Sequence, residues 1–257
     1  MYKIAAQCLF IVSEQREKKQ KLTIAIPETI KKEKIVMYKV FLSPSNQYDN
    51  VYAYGNTTEG VQCGKIADAC KIALERSGVD VMLMHDEDMQ TKCAESNKFG
   101  ADLHVPIHTN AFNGKGMGTR MFCYNSGGKG MEACKAIYAR LAPITPGDSE
   151  NIQVNADYYE VRVPAAPTAY IECEFHDTVE GAKWIVENTV LIGETIARGI
   201  CDYFGVTFKE PEQPKPAAGA TIYRVQVGAY AKKENAENML AKLKKDGYSG
   251  FIVEGKL

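Results

Sequence analysis

Residues 101–110 read Ala-Asp-Leu-His-Val-Pro-Ile-His-Thr-Asn, a mostly apolar run that ends in polar residues. The run predicts a buried β-strand over residues 101–107, with His108 at the strand end. In open α/β sheets, reactive groups gather at the carboxyl ends of the strands. His108 is therefore the first candidate site residue.

Strand-like and helix-like segments alternate on both sides of this stretch. Further strands are predicted over residues 38–43, 79–84, 118–124 and 169–173, and helices over residues 58–76, 88–99, 129–141 and 179–204. Alternation of this kind is typical of the α/β class, in which helices cover both faces of a mostly parallel sheet. We predict that architecture for the main part of the chain.

Composition divides the chain into four segments: an extension over residues 1–36, a main α/β domain over 37–207, a linker over 208–220 and a small unit over 221–257. Within the linker, residues 209–220 contain three prolines and no large apolar residue, which predicts a semi-rigid connection. The last segment predicts a strand over residues 223–230, a helix over 234–246 and a strand over 250–254. Its length of about 37 residues is too short for an ordinary core of its own. We predict a small βαβ appendage there.

The N-terminal extension contains one apolar stretch, Ile4–Val12. The stretch is too short to span a bilayer, and no small-x-small cleavage site follows it. Strand-like sequence begins directly after Met37, so we expect translation to start at Met37. We expect synthesis in the cytoplasm without a signal peptide, and no stable membrane insertion. A genuine disordered or membrane-targeting extension over residues 1–36 is the alternative.

Composition also excludes several classes of protein. Apolar residues make up 45% of the chain and charged residues 25%, which excludes a disordered chain, a fibrous repeat and a multi-span membrane protein. The 31 basic and 32 acidic residues give a net charge of −1, so we expect no nucleic-acid partner. The eight scattered cysteines form no C-x-x-C pair, which predicts buried thiols in a reducing compartment.

Three polar residues lie at the ends of predicted elements. Glu59 opens the helix over 58–76, His108 ends its strand, and Glu172 lies near the end of the last predicted strand. An imidazole and a carboxylate are usual zinc ligands, and a second carboxylate can serve as the base for a zinc-activated water. Two structural interpretations stay open: Glu59 also suits a helix N-terminus, and His108 could be a hydrogen-bonded core histidine.

Residues 38–206 resemble the zinc-dependent N-acetylmuramoyl-L-alanine amidases of the amidase-3 type. These enzymes cut the amide that joins the lactyl group of peptidoglycan to its stem peptide. Four matching segments come in the family's order: Val-Phe-Leu-Ser-Pro-Ser-Asn-Gln at 40–47, Thr-Glu at 58–59, Ala-Asp-Leu-His-Val-Pro-Ile-His-Thr-Asn at 101–110, and Ala-Pro-Thr-Ala-Tyr-Ile-Glu-Cys-Glu-Phe at 166–175. The resemblance implies the α/β fold, peptidoglycan as the partner and Zn²⁺ as the cofactor.

The resemblance also implies roles for individual residues. It makes Glu59 and His108 zinc ligands and Glu172 the catalytic carboxylate. Asn110 would orient the substrate. Glu174 is the rival carboxylate on the same strand face, although the spacing to the following phenylalanine favours Glu172.

The third zinc ligand departs from the family pattern. The family has the histidine of an Asp-Pro-Gly-His-Gly loop, whereas residues 43–47 of this chain read Ser-Pro-Ser-Asn-Gln. Ungapped matching puts Asn46 in the ligand position, and a shift of one residue offers Gln47. His176, which follows the strand that carries Glu172, is a third candidate. We rank Gln47 first, His176 second and Asn46 third.

The C-terminal segment resembles the first half of a SPOR domain, a module that binds glycan strands stripped of stem peptides. The similarity is carried by Tyr-Arg-Val-Gln-Val-Gly-Ala-Tyr at 223–230 and Leu-Lys-Lys-Asp-Gly-Tyr at 243–248. It implies that Gln226 and Tyr230 contact glycan. A full module has two repeats, so self-association with a second copy and truncation both stay open, as does an appendage that binds nothing.

The sequence therefore favours a peptidoglycan amidase, similar to phage endolysins. Such an enzyme is made in the bacterial cytoplasm and acts at the cell wall after release. One alternative is an inactive pseudoamidase that only binds peptidoglycan. Another is a zinc hydrolase that acts on a different amide.

Overall fold

The computed structural model describes residues 37–149, 152–211, 226–245, 248 and 250–255. The predicted extension over residues 1–36 and most of the linker therefore lie outside the described residues. Seven of the eight cysteines lie inside them, and all seven are buried and free, as predicted.

One sheet organises the described part of the main domain. Its strands are β1 (Lys39–Pro44), β2 (Asp80–Leu83), β3 (Leu103–Asn110), β4 (Arg120–Cys123), β5 (Gln153–Val154) and β6 (Tyr170–Phe175). The strand order is β2-β1-β3-β6-β4-β5. The first four strands in this order are parallel, and β4 pairs with β6 in the antiparallel sense. The predicted mostly parallel sheet is confirmed.

Helices cover both faces of this sheet. They are α1 (Glu59–Arg76), α2 (Met89–Phe99), α3 (Lys129–Leu141), α4 (Tyr159–Arg162) and α5 (Val179–Phe204), with a 3₁₀ turn at Ala142–Ile144. Helices α1 and α3 both pack against α5 on one face, whereas α2 and α4 contact each other on the other face. None of the helices in the described ranges is long and apolar enough to cross a bilayer.

Strand β3 shows how alternation sorts side chains between the two faces. Its apolar residues Leu103, Val105 and Ile107 are fully buried in the main hydrophobic core. Because successive side chains point to opposite faces, His104 and His108 lie together on the other face. The strand begins two residues later and ends three residues later than predicted, since Asn110 still pairs with β6 across a bulge. His108 therefore lies inside β3 and not beyond its end.

The long helix α5 follows the predicted bounds because its caps are encoded locally. The hydroxyl of Thr178 accepts the N–H of Gly181 at the start. Gly205, at φ +68°, adopts the left-handed conformation that ends the helix. Between them, Asn188 departs from helical geometry, and its side-chain amide donates to the carbonyl of Trp184. This local bond accounts for the kink.

The C-terminal segment contains helix α6 (Lys233–Lys245), close to the predicted helix. The predicted strands are not formed over residues 226–230 or 250–254, which are described and irregular. Residues 223–225 of the first strand lie outside the described residues. A strand needs a neighbour to share its ladder hydrogen bonds, and a pair of strands from a single repeat is marginally stable.

Helices α5 and α1 approach closely at Gly193, and this contact can be tested. A Cβ atom at Gly193 would lie 2.4 Å from the carbonyl oxygen of Ile66 in α1. Alanine favours helices, but the clash is with backbone and no side-chain rotation relieves it. We expect Gly193→Ala to lower the free energy of unfolding by about 1–3 kcal/mol in urea denaturation.

The control is Val190→Ala on the same helix, since Val190 is 63% exposed. It should change the free energy of unfolding by less than about 0.5 kcal/mol. A Gly193→Ala variant as stable as the parent would contradict the close approach of α1 and α5.

Candidate metal centre

The centre of the site is a contact between Glu59 and His108. Glu59 is the first residue of α1, and His108 lies near the carboxyl end of β3. Oε1 of Glu59 is 2.9 Å from Nδ1 of His108. The exposed fractions are 2% for Glu59 and 8% for His108. The structure therefore brings the two proposed zinc ligands together.

Each partner keeps the other charged. Burial raises the pKa of Glu59, but the hydrogen bond and charge of His108 outweigh it, and the pKa lies below its usual value. Burial lowers the pKa of His108, but the neighbouring carboxylates of Glu160 and Glu59 outweigh it and raise the pKa to about 10. A metal ion must displace this proton to bind the ring.

Glu172 is the third member of the predicted set. It lies on β6 directly beside His108, its partner in the ladder with β3. Burial, with a smaller contribution from Glu59, raises the pKa of Glu172 to about 7, although the charge of His108 opposes the shift. Oε2 of Glu172 is buried and has no hydrogen-bond partner. A carboxylate with a free buried oxygen can bind a metal, a water molecule or a reacting group.

A second carboxylate, Glu160, faces the other side of the imidazole. Glu160 lies on the single-turn helix α4 and is 3% exposed. Its Oε2 is 3.9 Å from Nε2 of His108. Its Oε1 lies 3.3 Å from Nε2 of His104 and accepts a hydrogen bond from the hydroxyl of Ser43. Sequence reasoning missed Glu160, because no motif or period marks an acid in so short a helix.

The charges around His108 suit a divalent cation. Three carboxylates, those of Glu59, Glu160 and Glu172, surround one imidazole. The charge of Glu160 favours the charged form of Lys92. The three acids still outnumber the two basic groups, Lys92 and His108. Buried negative charge without compensation is costly. Oxygen and nitrogen donors are ligands that zinc accepts, and the free oxygen of Glu172 leaves room for a further interaction.

Aromatic side chains fix the plane of the imidazole. The ring of Tyr170 stacks on His108 with centroids 4.8 Å apart. Tyr158 packs against Tyr170 at 5.1 Å and also contacts Phe122. The ring of His108 is therefore held on its face by Tyr170 as well as at Nδ1 by Glu59.

Gln47, the first-ranked third ligand, belongs to the hydrogen-bond network of Glu59. The side-chain amide of Asn50 donates to Oε1 of Gln47 at 2.8 Å and to Oε2 of Glu59 at 2.7 Å. The carboxamide oxygen of Gln47 thus lies one side chain away from Glu59. Asn50 is not among the site residues that the sequence predicts. Its side-chain amide holds Oε2 of Glu59, while Oε1 faces His108.

The other two candidates for the third ligand are engaged elsewhere. The side-chain amide of Asn46 donates to the carbonyl of Glu87 at 3.0 Å. Nδ1 of His176 lies 3.0 Å from the hydroxyl of Thr109, and its ring stacks on Tyr52. Neither side chain makes a contact with Glu59 or His108 among the hydrogen bonds of the described residues.

The remaining site predictions have the following placements. Asn110 is the half-buried last residue of β3, and its carbonyl accepts the N–H of His176. Glu174 accepts the backbone N–H groups of Gly118 and Phe175, and burial raises its pKa to about 7. Glu174 therefore holds the loop before β4 and does not join His108.

The proposed glycan-binding residues of the C-terminal segment are exposed. Gln226 donates to the carbonyl of Gly228, and Tyr230 is 41% exposed. Both side chains are accessible to a ligand, but no other described residue orders them around a pocket.

Family profiles match two parts of the chain. The profile of Amidase_3, described as N-acetylmuramoyl-L-alanine amidase, matches residues 45–202, more than half of the chain. The profile of the SPOR domain matches residues 206–254. The second match begins before the predicted C-terminal unit and takes in the linker.

Curated relatives carry the same enzyme name. The chain is 24% identical over 224 residues to the sporulation-specific N-acetylmuramoyl-L-alanine amidase of Bacillus subtilis, covering 84% of this chain and 85% of the relative. It is 23% identical over 227 residues to the N-acetylmuramoyl-L-alanine amidase CwlM of Bacillus licheniformis, with the same two coverages.

Solved structures share the fold. The catalytic domain of the amidase CwlV from Bacillus (Paenibacillus) polymyxa var. colistinus superposes with a TM-score of 0.61 at 17% identity, covering 66% of this chain and all of that one. The amidase AmiC2 of Nostoc punctiforme gives a TM-score of 0.58 at 20% identity, covering 65% and 97%. With the profile match over residues 45–202, this shows that the chain belongs to the Amidase_3 family of N-acetylmuramoyl-L-alanine amidases.

Proposed function

We propose that this chain is a zinc-dependent amidase that hydrolyses the bond between the lactyl group of muramic acid and L-alanine in peptidoglycan. The observation that carries the proposal is the free buried oxygen of Glu172 beside the Glu59–His108 pair. An acid so placed can take a proton from water next to a metal held by the pair. Family membership makes peptidoglycan the substrate class that fits this site.

Each residue has one proposed task in the reaction. Glu59 and His108 would hold the zinc ion, and Gln47 is the proposed third ligand because it already lies in the network of Glu59. When bound, zinc would supply Lewis acidity, which lowers the pKa of a neighbouring water molecule and polarises a carbonyl. Glu172 accepts the water proton and later delivers a proton to the departing alanine nitrogen. Asn110, two residues beyond His108, would orient the substrate.

Acid–base chemistry at Glu172 is tested by exchanging its carboxylate for an amide of the same shape. We expect Glu172→Gln to lower the rate of clearing of purified cell walls by a factor of about 10²–10⁴. Binding of the variant to sedimented walls should stay unchanged. Glu174→Gln is the matched control, since it alters a buried acid on the same strand that does not contact His108, and it should keep clearing.

Two outcomes would contradict the proposal. Clearing by Glu172→Gln at the parent rate would remove Glu172 from the role of base. If the parent protein with added zinc clears no wall but still sediments with it, the pseudoamidase alternative holds. By resemblance, Ser-Pro-Ser-Asn-Gln at residues 43–47 corresponds to the family's histidine loop, and this difference favours the second candidate.

The identity of the third ligand is tested by zinc content. We expect Gln47→Ala to lower zinc affinity by about 10–100-fold, measured by competition with a chromogenic chelator, because one donor of the set is lost. His176→Ala and Asn46→Ala remove side chains that are engaged elsewhere, so both should keep the parent affinity. If only His176→Ala lowers zinc affinity, the third ligand is His176 and not Gln47.

The C-terminal segment is proposed to hold the enzyme on the wall. A weak binding unit joined by a linker raises the local concentration of substrate around the catalytic domain. The exposed side chains of Gln226 and Tyr230 are the proposed glycan contacts. Pairing with a second copy through the half repeat is also proposed, as is release of the enzyme from the cytoplasm before it acts.

Glycan binding is tested by sedimentation with walls stripped of stem peptides. Tyr230→Ala in the full chain should reduce the bound fraction, because an exposed aromatic ring that can stack on a sugar is lost. Ile72→Ala removes an exposed apolar residue from α1 and serves as the control. Equal binding by the parent and Tyr230→Ala would contradict the assignment of Tyr230.

A further inference from the structure

A series of buried polar contacts leads from α2 to the candidate metal centre. The hydroxyl of Ser96 lies 3.0 Å from Nδ1 of His104. Nε2 of His104 lies 3.3 Å from Oε1 of Glu160. Oε2 of Glu160 faces Nε2 of His108 at 3.9 Å, and Nδ1 of His108 faces Glu59 at 2.9 Å. The two nitrogens of His108 therefore face two different acids.

Only one nitrogen of a neutral imidazole can bind a metal ion, and the other then carries the proton. The acceptor of that proton decides which nitrogen is free for the metal. Glu59 at Nδ1 is itself a proposed ligand, so the metal would lie on the Nδ1 side. Nε2 then carries the proton and needs an acceptor, and Glu160 is the carboxylate that faces it.

We propose that Glu160 is a positioning residue that accepts the Nε2–H of His108 and thereby assigns Nδ1 to the metal. This inference rests on the proposed function, since it concerns the same centre. The present separation of 3.9 Å must shorten by about 1 Å to reach hydrogen-bond length, and such bonds often tighten only when a site is filled.

Glu160 is held so that its second oxygen stays available. The hydroxyl of Ser43 and the ring of His104 both bind Oε1, which leaves Oε2 directed toward His108. His104 is itself fixed, because it stacks on Phe41 with centroids 5.2 Å apart and contacts Ser96. The carboxylate is therefore oriented by residues of β1, β3 and α2.

A second metal site beneath the first is the competing interpretation. One ligand atom each of Cys93, His104 and Glu160 lies within 4.8 Å of the others. Both nitrogens of His104 already have hydrogen-bond partners, so the group is satisfied without an ion. Burial also raises the pKa of the Cys93 thiol to about 12, which disfavours the thiolate that a metal needs. The geometry favours a positioning network.

The candidate centre has one imidazole bound to Glu59, which makes such positioning more consequential. His108 is the only imidazole that contacts Glu59 within the described part of the chain. A carboxylate behind the ring raises the basicity of the ligating nitrogen and fixes its direction. Glu160 thus strengthens the single imidazole on which the proposed zinc site depends.

The first experiment measures zinc affinity without any wall substrate. Zn²⁺ is titrated into the full-length parent, Glu160→Gln and Glu174→Gln in competition with a chelator. We expect Glu160→Gln to bind zinc about 10–100-fold more weakly than the parent. Glu174→Gln changes another buried acid and should match the parent. Parent-like affinity of Glu160→Gln would overturn the inference.

The second experiment needs no variant, so it holds even if Glu160→Gln fails to fold. In ¹⁵N-histidine-labelled parent protein with zinc, long-range ¹H–¹⁵N spectra report the state of each ring nitrogen. We expect His108 to show a protonated Nε2 and a metal-bound Nδ1. A metal-bound Nε2 would overturn the inference.

Zinc stoichiometry separates the inference from its competitor and from the proposed function. One zinc per chain supports the positioning role, whereas two per chain, reduced to one by Cys93→Ser, overturns it. A parent protein that binds one zinc through Nδ1 of His108 but clears no wall would refute the amidase proposal and leave the role of Glu160 standing.

Discussion

The contact between Glu59 and His108 requires the start of α1 to lie beside the carboxyl end of β3, and the rest of the main domain holds the two elements there. The two residues are 49 positions apart, one at the start of a helix and one inside a strand. Core packing of α1 against β1 and β3 brings these elements together. The backbone N–H of Glu59 also donates to the carbonyl of Asn50, which ties the loop before α1 to the helix start. A shift of α1 or β3 would separate Oε1 of Glu59 from Nδ1 of His108. The distance between these two atoms therefore depends on how the helix packs against the sheet.

The same centre is a source of instability without a cation. Glu59, Glu160 and Glu172 repel one another in a buried environment, where an uncompensated charge is costly. The fold offsets part of this cost with donors: Asn50 to Glu59 and Ser43 to Glu160. A metal that binds only the folded state adds stability by mass action. One feature therefore has two consequences: the clustering of buried acids is costly to the fold, and the same clustering would bind zinc.

Local signals explain why the sequence predicts some parts of this structure and not others. Helix α5 has a long apolar period, a capping threonine and a terminal glycine, so its bounds follow from nearby residues. Ordered motifs likewise indicate Glu59, His108 and Glu172, which the fold does bring together. Glu160 lies on one helical turn with no period, and its importance arises only from contacts with residues more than 50 positions away. No local pattern encodes such a contact. The alternating pattern of the C-terminal segment also predicts strands, but residues 226–230 and 250–254 are irregular, because alternation by itself does not supply the neighbouring strand that a ladder needs.

The loop over residues 43–50 has a consistent physical interpretation. Ser43 binds Glu160 on one side of the imidazole, and Ser45 and Asn50 bind Glu59 on the other. These side chains are neutral hydrogen-bond donors to carboxylates. Each donor makes a hydrogen bond to its carboxylate without neutralising the charge. The other oxygen of that carboxylate still faces His108. The donors of this loop therefore restrict the acids on both sides of His108. The imidazole is oriented between two carboxylates, Glu59 and Glu160, and each carboxylate is held by its own donor.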